Sequence, residues 1–188
     1  MAAVVPASTS VTALIHNRLT RWFSTLLAAV LAAPCAVLAA GVYDASGVQL
    51  GDSEQGVKKV FPGIRCKPLE WKSQAADRRC DDAGVAFAGI EARITFYLKA
   101  GAVRAFDVRF DRQHVDKIAE HLRRHYGKPL SEGRETIVGK NSKEREIFKM
   151  LWEHGSDRAR LSSLSTAKRA SLSVSRGDFD EEIYRIGP

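Results

Sequence analysis

The chain has 188 residues and a formal net charge of +7, with 27% charged and 45% hydrophobic residues. This length suits one modest domain or two half-domains that share a core, and the interspersed charges are typical of an ordinary solubilising surface. The isolated pairs Arg78–Arg79 and Arg123–Arg124 lack interleaved aromatic residues, so no nucleic-acid partner is predicted. The sequence contains no glycine-rich phosphate loop, and no cofactor is predicted.

Residues 1–39 are predicted to form a signal peptide. Arg18 and Arg21 supply a positive n-region, Trp22–Leu38 is an uncharged apolar run, and Ala39 ends a small-residue cleavage site. Cleavage there predicts an exported domain, 40–188, that is periplasmic or secreted and has no membrane span. The alternative is an uncleaved inner-membrane anchor through Trp22–Leu38, which is close to the lower limit of about 17 residues for a span.

Three cysteines occur in the chain. Cys35 lies inside the apolar run and follows Pro34, so it is not expected to be lipidated. Cys66 and Cys80 remain after cleavage, and an even pair in an oxidising compartment predicts a disulfide. Zinc is the competing interpretation, but neither cysteine has a CxxC partner or a nearby histidine.

In chain order, the first predicted element of the exported domain is a short helix capped by Asp52 or Ser53. Leu50, Val57, Val60 and Phe61 form its apolar stripe, and Pro62-Gly63 ends it. The segment from Lys67 to Arg79 has little periodicity and is predicted to be a loop closed by the disulfide. A small strand is expected at Val85–Phe87.

A hairpin followed by a helix is the clearest pattern in the chain. Apolar and polar residues alternate over Ile90–Leu98 and again over Phe106–Phe110, and Lys99-Ala100-Gly101 supplies a turn. Asp111 is the expected N-cap of a helix that ends at Gly127 before Pro129. The apolar stripe of this helix is expected to cover the hairpin, and it contains Val115, Ile118, Ala119, Leu122 and Tyr126.

Beyond Pro129 the pattern predicts a second sheet. The predicted strands are Glu135–Val138, Ile147–Trp152, Ala159–Leu164 and 170–175, of which the last alternates with serines and gives a serine-rich outer face. A polar loop is expected at Lys140–Glu146. Asp178–Ile186 suits either a helical turn or an edge strand.

Helix and meander occur twice in this prediction. Met150–Gly155 matches Phe96–Gly101 in pattern, and each unit is too small to bury its own apolar face. The predicted fold class is therefore α+β, with two helix-plus-antiparallel-meander halves, about 48–110 and 111–188, packed as one compact domain.

The turn residues of this pattern resemble those of a known group of proteins. Gly47–Ser53 with Val57, Phe61 and Pro62, and later Tyr126–Pro129, resemble the helix-start and helix-end signatures of small exported bacterial α/β modules. These include the SmpA/OmlA-type outer-membrane assembly lipoproteins and the β-lactamase-inhibitor-protein-like repeats. The resemblance implies an architecture more than an activity.

Three histidines are candidate metal ligands. His114, His121 and His125 fall on one helical stripe, and the last two are one turn apart, but no acidic residue follows in the HExxH manner. A solvated helix flank is the simpler interpretation. The acidic residues at the end of the chain lack the spacing of a calcium loop and are also interpreted as solvated: Asp178, Asp180, Glu181 and Glu182.

Ser165 and Lys168 have the SxxK spacing of serine acyl-enzymes. The second polar triplet and the KTG strand of those enzymes are missing, and the motif is predicted to be a hairpin turn. No catalytic residue and no metal site are therefore assigned. The expected function is non-enzymatic binding of a protein or an envelope polymer through a sheet face, and the alternative is a small periplasmic hydrolase or a metal-dependent enzyme.

Overall fold

The computed structural model describes residues 43–138 and 144–183. The predicted signal peptide, the anchor alternative Trp22–Leu38, most of the polar loop near Lys140 and the end of the chain at Ile186 lie outside the described residues. The elements in chain order are β1 (Asp44–Ala45), β2 (Val48–Gln49), α1 (Glu54–Val60), β3 (Arg65–Pro68), β4 (Arg78–Phe87), β5 (Ile90–Lys99), β6 (Ala102–Asp111), a 3-10 turn (Arg112–His114), α2 (Val115–Tyr126), β7 (Ser131–Val138), β8 (Glu144–His154), β9 (Asp157–Leu164), β10 (Arg169–Arg176) and α3 (Phe179–Glu182).

Strands β3 to β10 form one antiparallel sheet, called the main sheet below. Across the described ranges its strand order is β3-β4-β5-β6-β10-β9-β8-β7. Two meanders of consecutive strands, β3 to β6 and β7 to β10, meet where β10 pairs with β6. The described chain is therefore one compact domain that is mostly antiparallel β-sheet with few helices, and the strands after Pro129 extend the first sheet rather than forming a second one.

The predicted central hairpin is present as β5 and β6. Ala100 and Gly101 connect the strands with φ angles of 50° and 79°, which is the positive-φ geometry of a turn that matches strand twist. A register shift after Tyr97 lets both Val103 and Phe106 reach the same buried side. The hairpin thus presents a continuous apolar face.

Helix α2 lies over that apolar face. The Asp111 carboxylate accepts the Gln113 N–H at 2.9 Å, so it caps the 3-10 turn that leads into the helix. The predicted stripe is buried except for Val115, which is only half-buried, and Gly127 ends the helix with a φ of 83°. Ile118, Ala119, Leu122 and Tyr126 join the same core as the hairpin.

The N-terminal elements complete this layer. Ser53 caps α1 by accepting the Gly56 N–H at 3.1 Å, and Val57 and Phe61 are buried against the sheet. Val60, which was expected in the apolar stripe, is 42% exposed because it lies off the face shared by Val57 and Phe61.

The disulfide region is more ordered than a loop. Cys66 on β3 lies directly opposite Cys80 on β4, with Cα atoms 3.9 Å apart and sulfur atoms at disulfide distance. The segment 69–77 between these strands crosses the other side of the sheet, where the Trp71 indole N–H donates to the Ile183 carbonyl at 2.8 Å. A second, smaller cluster forms there, containing Ala75, Ala76, Tyr97, Ala105, Phe179 and Ile183.

Several predicted bounds differ from the structure. Strand β4 begins at Arg78 rather than at Val85, and β8 begins at Glu144, within the stretch that was expected to be a loop. Both extensions pair through backbone hydrogen bonds while carrying polar residues, so hydrophobic periodicity does not mark them. The ambiguous last segment is helical at α3, where Phe179 and Ile183 are buried.

Candidate functional site

The two faces of the main sheet have different cover. One face, the helix-covered face, packs against α1, α2 and the β1–β2 hairpin and contains the large core. The opposite face is called the polar face. Segment 69–77 and α3 cover Tyr97 and Ala105 on this face and form the small apolar cluster with them. The rest of the polar face carries exposed or half-buried polar side chains.

Cross-strand register aligns some of these side chains in a row, called the basic row. Arg93 lies opposite Arg109, Arg109 opposite Ser171, Ser171 opposite Ser162, and Ser162 opposite Lys149. Neighbouring strands are about 4.8 Å apart, so the row spans about 19 Å across β5, β6, β10, β9 and β8. These five positions hold no acidic residue.

Arg93 and Arg109, called the arginine pair, are the unusual members of this row. Both side chains are exposed, and neither forms a hydrogen bond or an ion pair with any residue of the described ranges. Like charges directly opposite each other on adjacent strands destabilise a sheet, on a scale of about 0.2–1 kcal/mol for cross-strand pairs. Neither arginine is held by an ion pair in the part of the chain that the structure describes, and a bound anion would relieve the repulsion between them.

A hollow of about 420 Å³ lies beside the arginine pair. Lys168 and Arg169, from the β9–β10 loop and the start of β10, line it together with Glu91 and Asp111. A neighbouring hollow of about 630 Å³ shares Arg93 and extends towards β3. Its other charged lining residues are Arg65, Lys67, Arg79, Asp81 and Asp82.

In the row next to the basic row, side chains form hydrogen bonds with one another. The Thr95 hydroxyl donates to Asp81 at 2.8 Å, and the Ser173 hydroxyl donates to the Asp107 carboxylate. Burial raises the pKa of Asp107 above its ordinary value, although the Ser173 hydrogen bond and the charge of Arg109 act in the opposite direction. These side chains have protein partners, which leaves the arginine pair as the more available group.

The histidines of α2 lie at the opposite side of the sheet. His121 stacks on His125 with ring centroids 5.7 Å apart, and His125 Nε2 lies 2.6 Å from an Asp44 carboxylate oxygen. Burial, followed by the nearby His125 and Arg124, lowers the pKa of His121. Among the residues described, no group of three or more His, Cys, Asp or Glu side chains has an arrangement suited to a metal ion. His114 is separate from this pair and lines the hollow beside Arg93.

The SxxK motif forms part of the β9–β10 loop, as its hairpin interpretation predicted. The Ser165 hydroxyl accepts the Glu146 N–H at 3.1 Å, whereas the Lys168 side chain lines the hollow with the arginine pair. The motif thus links β8 to the loop through Ser165 and contributes a cation to the polar face through Lys168.

Some of the remaining charged candidates take part in surface ion pairs. Arg78 pairs with Glu54 at 2.8 Å, and Arg160 pairs with Asp180 of the terminal acidic group at 3.0 Å. Arg123 lies 3.2 Å from Glu120. Exposed pairs of this kind contribute little to stability, about 0–1 kcal/mol each.

Arg93 and Arg109 fall on the polar side of their strands in the sequence pattern, but periodicity alone does not distinguish them from other polar residues. The signal that could have identified them is arginine at two polar positions of a predicted hairpin, since a short turn fixes which residues face each other. The serine-rich outer face expected on the last strand is present at Ser171 and Ser173, whereas Ser175 is buried.

Comparison of the chain with protein-family models, with curated proteins and with solved structures finds no match. Within residues 43–138 and 144–183, none of the helices has the length and apolar character needed to cross a bilayer.

Proposed function

We propose that this chain is a non-enzymatic binding module that engages a protein or an envelope polymer through the polar face of its main sheet. The observation that carries the proposal is the arginine pair, Arg93 and Arg109, which is exposed and has no ion-pair partner among the described residues. Charged groups without partners in the fold are suited to binding a charged ligand.

The module is proposed to act in the periplasm or outside the cell. The predicted signal peptide, 1–39, and the proximity of Cys66 and Cys80 support this location, because disulfides persist in oxidising compartments. Retention in the inner membrane through Trp22–Leu38 is the alternative. Either location gives the polar face access to envelope components.

The arrangement of the sheet supports an interpretation as two halves of one α+β unit. Helix α1 precedes the meander β3 to β6, and α2 precedes the meander β7 to β10. The boundary proposed near 110 and 111 falls at the end of β6, at Asp111. The basic row crosses the junction between the halves, so both would contribute to binding.

The positions of the candidate catalytic residues favour binding over hydrolysis. Enzymes gather their titratable groups in one cleft. Here the His121 and His125 pair contacts Asp44 on the helix-covered side, while Lys168 faces the arginine pair on the polar side.

A steric block of the polar face tests the proposal. Ser171 lies in the middle of the basic row, and Ser171→Trp should abolish capture of partners from envelope extract by the immobilised protein. Lys59→Trp is the matched control, because Lys59 is exposed on α1 on the opposite side of the sheet. Equal capture by the two variants and the parent would contradict binding through the polar face.

A further inference from the structure

We propose that the hollow beside the arginine pair binds the phosphates of an envelope polymer whose units are linked through phosphate groups. This inference rests on the proposed function, because the site belongs to the same polar face, and it names the chemistry that the face recognises. Three features of the described residues support it: the net charge of the hollow, the geometry of its arginines and the extent of the basic row.

The charge of the hollow matches a dianion. Its charged lining residues are Arg93, Arg109, Lys168, Arg169, Glu91 and Asp111. Four of these six side chains are cations and two are anions, so positive charge exceeds negative charge by two. Two consecutive phosphates of a linked chain carry one negative charge each at neutral pH, so together they would balance the hollow. The Asp111 carboxylate is moreover oriented by the Gln113 N–H that it accepts, at 2.9 Å.

The geometry of the arginine pair also suits phosphate. Arg93 and Arg109 are direct cross-strand partners, so their Cα atoms are about 4.5–5.5 Å apart and their side chains leave the same face. Each guanidinium presents parallel N–H donors in a fixed fork. Each phosphate of a linked chain has two non-bridging oxygens that can accept one such fork, so two consecutive phosphates suit the two guanidinium groups.

The basic row indicates a ligand longer than one phosphate. Ser171 and Ser162 continue the row from Arg109, with hydroxyl oxygens 3.2 Å apart, and Lys149 ends it. Lys149 pairs with Glu135 at 2.8 Å, but both side chains are exposed, and such pairs exchange readily for another anion. A polymer with repeated phosphates could therefore occupy the arginine pair and Lys149 together.

Isothermal titration calorimetry of the purified protein tests the site with three probes: inorganic phosphate, linear polyphosphate and polyglutamate. The test variant is the double substitution Arg93→Gln and Arg109→Gln. Arg104→Gln is the matched control, since Arg104 is an exposed residue of the same strand, β6, and has no ion pair within the described ranges. We expect the double variant to bind polyphosphate at least tenfold more weakly than the parent, and the control to remain within twofold.

Folding of the variants is checked by their thermal midpoints, and competition on the parent protein gives a second measurement that needs no variant. Polyphosphate should displace captured envelope material from the parent, whereas polyglutamate of equal charge should displace less. Unchanged polyphosphate affinity in the double variant would overturn the site. If polyglutamate binds more tightly than polyphosphate, the site is assigned to an acidic protein instead.

Three further outcomes distinguish failure of the phosphate-polymer inference from failure of the proposed function. If polyphosphate binds no more tightly than inorganic phosphate, the site is assigned to free phosphate, and the proposal of a polymeric ligand is wrong. If Ser171→Trp abolishes envelope capture while polyphosphate neither binds nor competes, the polar face is a binding surface but the phosphate assignment is wrong. If capture survives Ser171→Trp, the proposed function itself fails.

Discussion

Phe96 on β5 lies directly opposite Phe106 on β6, and both side chains are fully buried with ring centroids 5.7 Å apart. Phe61, at the end of α1, packs 5.5 Å from the Phe96 ring. These rings join the first helix to the central hairpin. Aromatic contacts of this kind contribute beyond the burial of area alone.

Truncating Phe96 should therefore destabilise the whole domain. Phe96→Ala is expected to lower the free energy of unfolding by about 3–5 kcal/mol, because it removes a large buried side chain and leaves a cavity. Glu91→Ala, at an exposed position on the same strand, should change it by about 0.5 kcal/mol or less. Urea denaturation measures both. A parent-like Phe96→Ala with a collapsed Thr95→Ala would mean that the strand register is off by one.

The central hairpin and α2 could be predicted because one face of each element is apolar and the other is polar. The alternation over Ile90–Leu98 and the helical stripe of α2 are the direct consequence of burying one face against the other. The turn at Ala100 and Gly101 follows from the same pattern, because it must reverse the chain between two such runs.

The rest of the sheet needed information that periodicity does not contain. The first residues of β4, from Arg78, are polar yet pair with β5, so their strand character depends on a neighbour already being in place. Segment 69–77 is ordered by Tyr97 and Phe179 on a face expected to be polar. The arginine pair likewise becomes visible as a pair only once the register of β5 and β6 is known.

Removing the disulfide should weaken the same domain by a different route. Cys66→Ser combined with Cys80→Ser is expected to cost about 3 kcal/mol, because a closed loop of about 15 residues restricts the unfolded chain. Non-reducing peptide mapping of the exported protein should recover the two cysteines as one linked peptide pair. Two freely alkylated thiols, or an unchanged urea midpoint in the double variant, would contradict the bridge.

The N-terminal hairpin should be held by the hydroxyl of Tyr126. This hydroxyl donates to the Asp44 carbonyl at 2.7 Å in a partly buried position. Tyr126→Phe should cost about 1–3 kcal/mol, because the carbonyl loses its partner. Tyr43→Phe is the matched control, since the Tyr43 ring packs 5.0 Å from Tyr126 but its hydroxyl has no hydrogen bond within the described ranges. Equal losses in the two variants would show that packing, not the hydrogen bond, anchors the hairpin.

Export should produce a mature N-terminus at Ala40 or Gly41. The positive n-region, the apolar run and the small residues before Ala40 occur in the order that signal peptidase requires. Intact-mass measurement of the periplasmic fraction gives the cleavage position. A product that keeps Trp22 and sediments with the membrane would instead support the anchor.

Neutralising Asp107 should change stability in a pH-dependent way. Burial raises the pKa of Asp107 above its ordinary value of 3.8, so the folded state disfavours the ionised form. The protonated Asp107 carboxyl therefore contributes to stability fully at pH values below 3.8, and this contribution is lost as the pH rises through the pKa of the folded state. Asp107→Asn mimics the protonated group and keeps an acceptor for Ser173, so it should be more stable than the parent at pH 7 and similar to it at pH 3.

Asp157→Asn is a control for which the change in stability at pH 7 should have the opposite sign. The Nε atom of Arg176 lies 2.6 Å from the Asp157 carboxylate, and this hydrogen bond lowers the pKa of Asp157. The ionised Asp157 therefore stabilises the fold at pH values above its ordinary pKa. This stabilisation is lost as the pH falls through the pKa of the folded state. Asp157→Asn should therefore be less stable than the parent at pH 7, with the difference shrinking in acid. Urea denaturation at pH 7 and pH 3 measures both variants. A loss of stability in Asp107→Asn at pH 7 would mean that its charge, together with Arg109 and Arg160 nearby, stabilises the polar face rather than straining it.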